Sequence, residues 1–458
     1  MSKPDTQAPL QSAGGNQKLL LLSSVVAALG SFLFGFDTAV ISGTTDALRH
    51  AFGLNENLLG FTVSSALIGT MIGSLFVGRP VDWWGRRKLL WLLAVLFIIA
   101  AIGCSLAWNW YVLLFSRWLG GVAVGAASVV CPMYITEIAP AKQRGFLVAI
   151  SQFNIVVGIL AAYLSNYLVA HFVGAESSNA WRWMFGVMLL PSVVFLLTAA
   201  FIPESPRWLV IKNRPEEARR VLILFGHPSP DEELDSIESS LRLEMTGQHQ
   251  SVFQKKHLRP LLLVCMIGVF SQLDGINAVI YYTADIFRMA GADKANALMQ
   301  SVIVGVTNLV MTLVAMALID RLGRKPLLLA GAVTFIISHA LAAWVFAFHV
   351  HGWLALVAMM GIVGSHAYSL GGVIWVVINE LLPNAVRASG SALACFLNWV
   401  SCTAVGWLFP VVAANHGALA FIFFGAMMSV MFVLVLKFLP ETKGASLEDL
   451  QKHFGVND

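Results

Sequence analysis

The stretch Gly78-Arg79-Pro80-Val81-Asp82-Trp83-Trp84-Gly85-Arg86-Arg87 has a counterpart in the second half of the chain, Ile319-Asp320-Arg321-Leu322-Gly323-Arg324-Lys325. Setting Asp82 on Asp320 also sets Gly85 on Gly323. Two further signatures recur at nearly the same offset. Glu137 with Arg144 is matched by Glu380 with Arg387, and Pro203-Glu204-Ser205 by Pro440-Glu441-Thr442. Three matched signatures at almost one spacing indicate an internal duplication of a large unit.

Each signature follows an apolar run, and a bilayer span needs about 20 apolar residues. Twelve runs qualify: 19–42, 58–79, 88–107, 111–134, 146–171, 182–202, 260–283, 298–319, 327–348, 353–379, 388–411 and 417–439. Composition agrees. Of the 458 residues, 58% are hydrophobic and 12% charged, whereas soluble domains carry about 25% charged residues. A soluble enzyme, a nucleic-acid binder and a disordered chain are excluded, and a net charge of +4 implies no nucleic-acid partner. The polar N-terminus followed by a long apolar run reads as a tail and a first span, not a cleaved signal peptide.

Lys and Arg orient the spans. Arg49, Arg182, Arg288 and Lys294 fall on one face, Arg117 falls inside a span, and the other basic residues fall on the opposite face with both tails. The positive-inside rule makes that crowded face cytoplasmic. The expected organisation is a cytoplasmic N-terminal tail (1–18), a six-helix half (19–203), a cytoplasmic amphipathic helical linker (204–257), a second six-helix half (258–440) and a cytoplasmic C-terminal tail (441–458). The linker alternates Leu and Ile with Glu216, Glu217, Arg219, Arg220, Asp231, Glu232, Glu233 and Glu238, the pattern of surface helices. The fold class is an all-α membrane protein with twelve transmembrane helices in two pseudo-symmetric halves. Such repeats enclose a mid-membrane site in alternating-access transporters.

Nothing in the chain points to catalysis. No nucleophile triad, metal-ligand cluster or phosphate-binding glycine loop is present, so no catalytic, metal or cofactor residues are assigned. The five cysteines (Cys104, Cys131, Cys265, Cys395, Cys402) lie in apolar runs without ligand spacing and read as small buried hydrophobes.

Five longer stretches carry a family resemblance: Phe-Gly-Phe-Asp-Thr-Ala-Val-Ile-Ser-Gly (34–43), Pro-Met-Tyr-Ile-Thr-Glu-Ile-Ala-Pro (132–140), Pro-Glu-Ser-Pro-Arg-Trp-Leu (203–209), Gly-Ile-Asn-Ala-Val-Ile-Tyr-Tyr (275–282) and Pro-Glu-Thr-Lys-Gly (440–444). The chain resembles the sugar porter branch of the major facilitator superfamily over nearly its whole length. The resemblance implies a monosaccharide and a proton as the transported partners, in the lipid bilayer; function as a monomer is expected because each chain would contain its own pathway. A sugar needs amides and hydroxyls that donate and accept, plus an aromatic face. The family positions correspond here to Gln152, Gln272, Asn277, Asn308, Trp375 and Asn398. The xylose porters have a second glutamine where this chain has Ile159, which favours a hexose over a pentose.

Three residues depart from the pattern. Ser271 replaces a glutamine, with loss of a sugar contact or a water in the gap. Asp274 stands where the family is uncharged, and an intramembrane carboxylate marks function by default. The sequence leaves open whether it binds substrate, takes a proton or faces an outer vestibule. His366 is unusual in span 10, and a buried neutral histidine is its simpler reading. Span 10 also lacks the family's proline after Gly371, so Gly371-Gly372 is expected to break it less sharply, whereas Gly275 is expected to let span 7 bend.

The resemblance assigns proton coupling to Asp37 in span 1 with Arg117 in span 4. Burial raises the aspartate's proton affinity and the arginine lowers it. The accessory glutamate of some xylose-type porters is replaced by Met188. Tyr281 and Tyr282 match outer-gate tyrosines. Asp82, Arg86, Arg87, Glu137, Arg144, Glu204, Asp320, Arg324, Glu380, Arg387 and Glu441 are expected to bridge the two halves when the inner side is closed. Short tails and outer loops free of glycosylation sequons fit a bacterial inner membrane. A uniporter, a polyol or modified-sugar symporter and a non-transporting sugar sensor are the competing readings.

Overall fold

A computed structural model describes residues 17–246, 251–254, 257–350, 352–383 and 386–443, without the side chains of 243–246, 320 and 379. Most of both tails and the side chain of Asp320 therefore lie outside the described residues. Among the described residues, twelve helices are long and apolar enough to cross a membrane. Spans 1 to 6 are Gln17–Gly43, Glu56–Phe76, Arg86–Ser105, Trp110–Ile138, Arg144–Val173 and Ala180–Ala199. Spans 7 to 12 are Leu258–Met289, Lys294–Ile319, Arg324–Ala347, Trp353–Ile378, Arg387–Asn415 and Gly417–Phe438. With twelve spans and this fold class, the protein is a multi-pass membrane protein.

The N-terminal half is held together by backbone contact at glycines. Spans 2 and 4 interlock: a Cβ at Gly121 would lie 1.9 Å from the Ala66 carbonyl oxygen, one at Gly125 2.0 Å from that of Thr70, and one at Gly69 2.1 Å from that of Trp118. Spans 1 and 5 do the same at Gly35, 1.8 Å from the Ile155 oxygen, and Gly158, 2.1 Å from that of Phe32. Lipid tails are as apolar as leucine, so such close packing is a main source of helix association in a bilayer.

In the C-terminal half, spans 7 and 10 are interrupted. Span 7 stops at Leu273 and restarts at Ile276. Gly275 turns between the pieces in the left-handed region, at φ +77°, which glycine adopts without penalty. Span 10 breaks at Ser369 (φ −118°, ψ −86°), two residues before the glycine pair on which the sequence placed the weakness. Broken helices at mid-membrane are tolerated where they line a cavity.

Three short helices, Pro206–Ile211, Pro215–Leu224 and Pro230–Thr246, form the linker between the halves. Their apolar faces pack Trp208, Leu209 and Ala218 together. The linker is pinned to the N-terminal half: Trp208 Nε1 donates to the Asp82 carbonyl at 3.0 Å, and His227 Nε2 lies 3.1 Å from that of Ile138.

The charged signatures at the linker face pair within each half, not between halves. Arg86 makes two bonds to Glu137, at 2.8 and 2.7 Å, with Asp82 3.7 Å away. Arg324 meets Glu380 at 3.2 Å. Glu204 accepts from the backbone N–H groups of Arg86 (2.9 Å) and Arg87 (3.2 Å), and Glu441 from those of Arg324 and Lys325, both at 3.0 Å. Gly85 and Gly323, at φ +88° and +91°, turn the chain so that spans 3 and 9 present their unpaired N–H groups to these carboxylates. That is the favoured place for a negative charge on a helix. Arg144 reaches Glu233 of the linker at 4.0 Å, and Arg387 donates to the Leu382 carbonyl at 3.3 Å. Among the described residues no ion pair joins the halves on this face; the bridges are expected for the state in which it is closed. The helix starts sit nearer to these charges than the opposite half does.

Ion pairs between the halves lie on the other face. Asp46, on the helix Thr45–Phe52, contacts Arg288 at 2.5 Å and Lys294 at 3.3 Å, and Arg49 contacts Asp285 at 3.7 Å. Tyr163 donates to the Ile280 carbonyl at 2.9 Å, Ser64 to that of Thr403 at 3.1 Å, and Trp407 to Asn57 at 2.7 Å. The halves are thus closed together on the face away from the linker.

Partial burial pushes the Asp46 carboxyl up, but Arg288 and Lys294 outweigh it and hold the group below its ordinary 3.8. A lowered carboxylate stabilises the closed face above its ordinary value, and that contribution is lost only as pH falls through the lowered one. The lock is therefore intact at neutral pH and fails only in strong acid. Asp46→Ala removes two half-exposed ion pairs, each worth about 0.5–1 kcal/mol, and shifts the equilibrium toward opening of that face about 5- to 30-fold. Alkylation of Ala413→Cys, on the vestibule wall beside this cluster, reports the shift in a background without the native cysteines. Unchanged alkylation excludes Asp46 from the lock.

Candidate functional site

Two adjoining cavities, of about 270 and 370 Å³, lie between the halves and share Phe34, Gln152, Ile155, Gln272 and Asn277. The first reaches past Asn308, Thr312 and His366 to Ile319, and the second past Trp375, Asn398 and Trp399 to Pro132. Both run toward the linker face, where no described ion pair joins the halves.

The break in span 7 sets the polar wall. Asn277 Nδ2 donates to Gln272 Oε1, and Gln272 Nε2 donates to Asn398 Oδ1 at 2.8 Å. Ser271 Oγ lies 2.8 Å from both Asn398 Oδ1 and the Gly268 carbonyl. The chain of amides leaves Asn277 Oδ1 and Asn398 Nδ2 without a protein partner among the described residues. One accepts and one donates, which matches a hydroxyl that does both. On the opposite wall the Gln152 amide is exposed to both cavities, with no protein hydrogen bond among the described residues. Asn308 completes the first cavity. Trp375, 38% exposed, offers an aromatic surface in the second.

Two residues assigned to substrate by sequence lie behind this wall. Ser271 is fully buried and orients Asn398. Asp274 is also fully buried and outside the cavity lining. Its Oδ1 accepts from the Ile276 N–H at 2.9 Å and its Oδ2 from His366 Nδ1 at 2.7 Å, while its backbone carbonyl meets His339 Nε2 at 2.8 Å. Asp274 continues the helical backbone of Leu258–Leu273 (φ −74°, ψ −9°) and ends it on the side away from the cavity. His366, in contrast, lines the cavity.

Asp37 and Arg117 form a buried ion pair at 2.9 Å, with side chains 8% and 2% exposed. The guanidinium lies 5.8 Å from the Phe185 ring centre. A void of about 10 Å³ touches the pair together with Phe34, Tyr281 and Trp399, room for about one water. Phe34, Tyr281 and Trp399 also line the second cavity, so the pair adjoins the site without entering it.

The two tyrosines separate. Tyr281 faces the second cavity, its hydroxyl 3.7 Å from Cys402 Sγ. Tyr282 stacks on Phe409 and donates to the Gly406 carbonyl at 2.8 Å, beside the opposite vestibule. The sequence reading missed Phe34, which lines both cavities, and Tyr163, which ties the halves together. It also missed the Asp46 cluster, whose basic members entered only as an orientation signal. Among the described residues no group of side chains could hold a metal ion, and the cysteines are free.

The family model for sugar (and other) transporters matches residues 23–454. The D-xylose-proton symporter of Escherichia coli (strain K12) is 35% identical, with 95% of this chain and 96% of the relative covered. The glucose transport protein of Synechocystis is 35% identical over 97% of this chain and 99% of its own. Among solved structures, the inward-open conformation of the E. coli xylose transporter XylE superposes with a TM-score of 0.83 at 34% identity, covering 94% of this chain and 98% of that one. Motifs, fold and matches over nearly the full length agree, and the chain belongs to the sugar transporter family of the major facilitator superfamily.

Proposed function

We propose that the protein carries a monosaccharide, a hexose, together with a proton across a bacterial inner membrane by alternating access, with the linker face and both termini cytoplasmic. The observation that carries the reading is the buried Asp37–Arg117 pair beside a cavity walled by amides and indoles. The cavity supplies hydroxyl-matching groups without net charge, which suits a neutral sugar. The pair supplies a titratable group whose protonation breaks an inter-helix contact. Closure on the face away from the linker makes the described state inward-facing, in keeping with the superposition on an inward-open relative. A single chain contains both halves of the cavity, which supports function as a monomer.

The test is uptake of labelled hexoses, pentoses and polyols into cells lacking their own porters, with and without a protonophore. Accumulation of one hexose that collapses with the protonophore is the expected result. Equilibration unaffected by the protonophore overturns the coupling, and uptake of a polyol alone overturns the substrate.

A further inference from the structure

We propose that His366 is a specificity-determining ligand that accepts a hydrogen bond from one hydroxyl of the transported sugar through Nε2, and that Asp274 is the positioning residue that holds it in that role. The proposal rests on the sugar-transport reading and adds to it a contact that neither the family motifs nor the relatives assign.

The geometry runs outward from the break in span 7. The helix Ile276–Met289 begins there, and its first N–H groups have no partner within the helix. Asp274 Oδ1 accepts from one of them, at Ile276. A carboxylate is favoured at such an N-terminus, so Asp274 is an acceptor whose position is set by backbone. Its Oδ2 then takes the proton of His366 Nδ1 at 2.7 Å. A ring with its proton on Nδ1 presents a lone pair at Nε2. That nitrogen has no protein partner among the described residues, and the side chain is 21% exposed while Asp274 is at 0%. The exposed edge is therefore the one away from the carboxylate, on the cavity wall. Gly371 keeps it open: a Cβ there would stand 3.3 Å from Nε2. An imidazole in water gains nothing from a carboxylate buried behind it. Here the carboxylate fixes both tautomer and ring plane.

The experiment is binding of D-glucose and D-xylose to the purified full-length protein, followed by the monodeoxy and monofluoro series of whichever sugar binds. Fluorine accepts weakly but cannot donate. The hydroxyl that meets Nε2 is thus the one whose deoxy and fluoro analogues both lose about tenfold in affinity. His366→Ala should lose about tenfold for the parent sugar and nothing further for those two analogues. Gly371→Ala, which covers Nε2 without touching Asp274, should give the same selective pattern. Asp274→Asn frees the tautomer, because the amide can donate to Nδ1 as well as accept from it, and the penalty of the fluoro analogue should shrink while the fold is retained. An equal loss across all analogues in His366→Ala marks a packing role and overturns the proposal. So does an unchanged affinity. Wild-type protein that binds neither sugar overturns the hexose reading itself, and this assignment with it.

Discussion

Asp37→Asn abolishes uphill accumulation of substrate while substrate exchange across the membrane continues. In the wild type the pair is neutral when Asp37 is ionised and carries one net positive charge when it is protonated. Only the first state has an ion pair between spans 1 and 4, so gain of a proton is felt as the loss of a contact. Asparagine is fixed in the uncharged form. It cannot carry the proton, and a pH gradient no longer biases which side opens. An imposed gradient sustains at most about tenfold accumulation per pH unit for one proton per sugar. The variant should fall to a ratio of about one. Removing one partner of a buried pair costs about 3–5 kcal/mol. Asparagine still accepts from Arg117 and keeps part of that, so folded protein and counterflow should survive at reduced rates. Proteoliposomes with an imposed pH gradient separate the two activities in one preparation. Gradient-driven accumulation by Asp37→Asn would leave the pair as a static brace.

Gly121→Val should leave no folded transporter, the largest stability effect expected from a single substitution here. The added atoms would meet the Ala66 carbonyl, 1.9 Å from the first of them, and a backbone oxygen cannot rotate away as a side chain does. Relief requires spans 2 and 4 to move apart, which also opens the contacts at Gly69 and Gly125. Overpacking typically costs about 1–3 kcal/mol, and here the strain spreads along a whole helix pair. Gly121→Ala should retain some folded protein with a much lower melting temperature. Gly145→Ala, with nothing within 4 Å of its new Cβ, should melt as the wild type. Detergent-solubilised size-exclusion profiles and thermal melts measure the series. A normal melt for Gly121→Val would show that the two helices are not held at backbone contact.

The twelve spans and the duplication were legible in sequence, because each depends on composition or on a motif read locally; Asp37 and Arg117 came together through the family resemblance and the cost of leaving either charge alone within a span. Ser271 and Asp274 lie buried behind the cavity wall, at the end of the helix before the turn, and sequence alone does not say which face of that helix the cavity takes. The sequence marked Gly275 as a weak point but could not give the direction of the turn. Span 10 shows the same limit: its break falls at Ser369, where the backbone turns, and not at the adjacent glycines. The roles of Glu204 and Glu441 were hidden for another reason. Each acts on a helix start more than a hundred residues earlier, and charge alone suggested a partner in the other half. Phe34 and Tyr163 carry no unusual chemistry, and only the packing of the two halves gives them a task.

The two glutamate caps set a timetable for biogenesis. The turn at Gly85 emerges from the ribosome early, but the carboxylate that satisfies its helix start arrives only with Glu204, after span 6. The first half cannot complete its linker-side edge until its last span has been threaded. The second half waits in the same way for Glu441, almost at the end of translation. A nascent chain stalled before either glutamate holds two spans of the current half before the unfinished joint and four after it. Each half therefore closes its linker-side edge only once its sixth span and the glutamate after it have been made, and a chain ending just short of Glu441 leaves the N–H groups of Arg324 and Lys325 without their carboxylate.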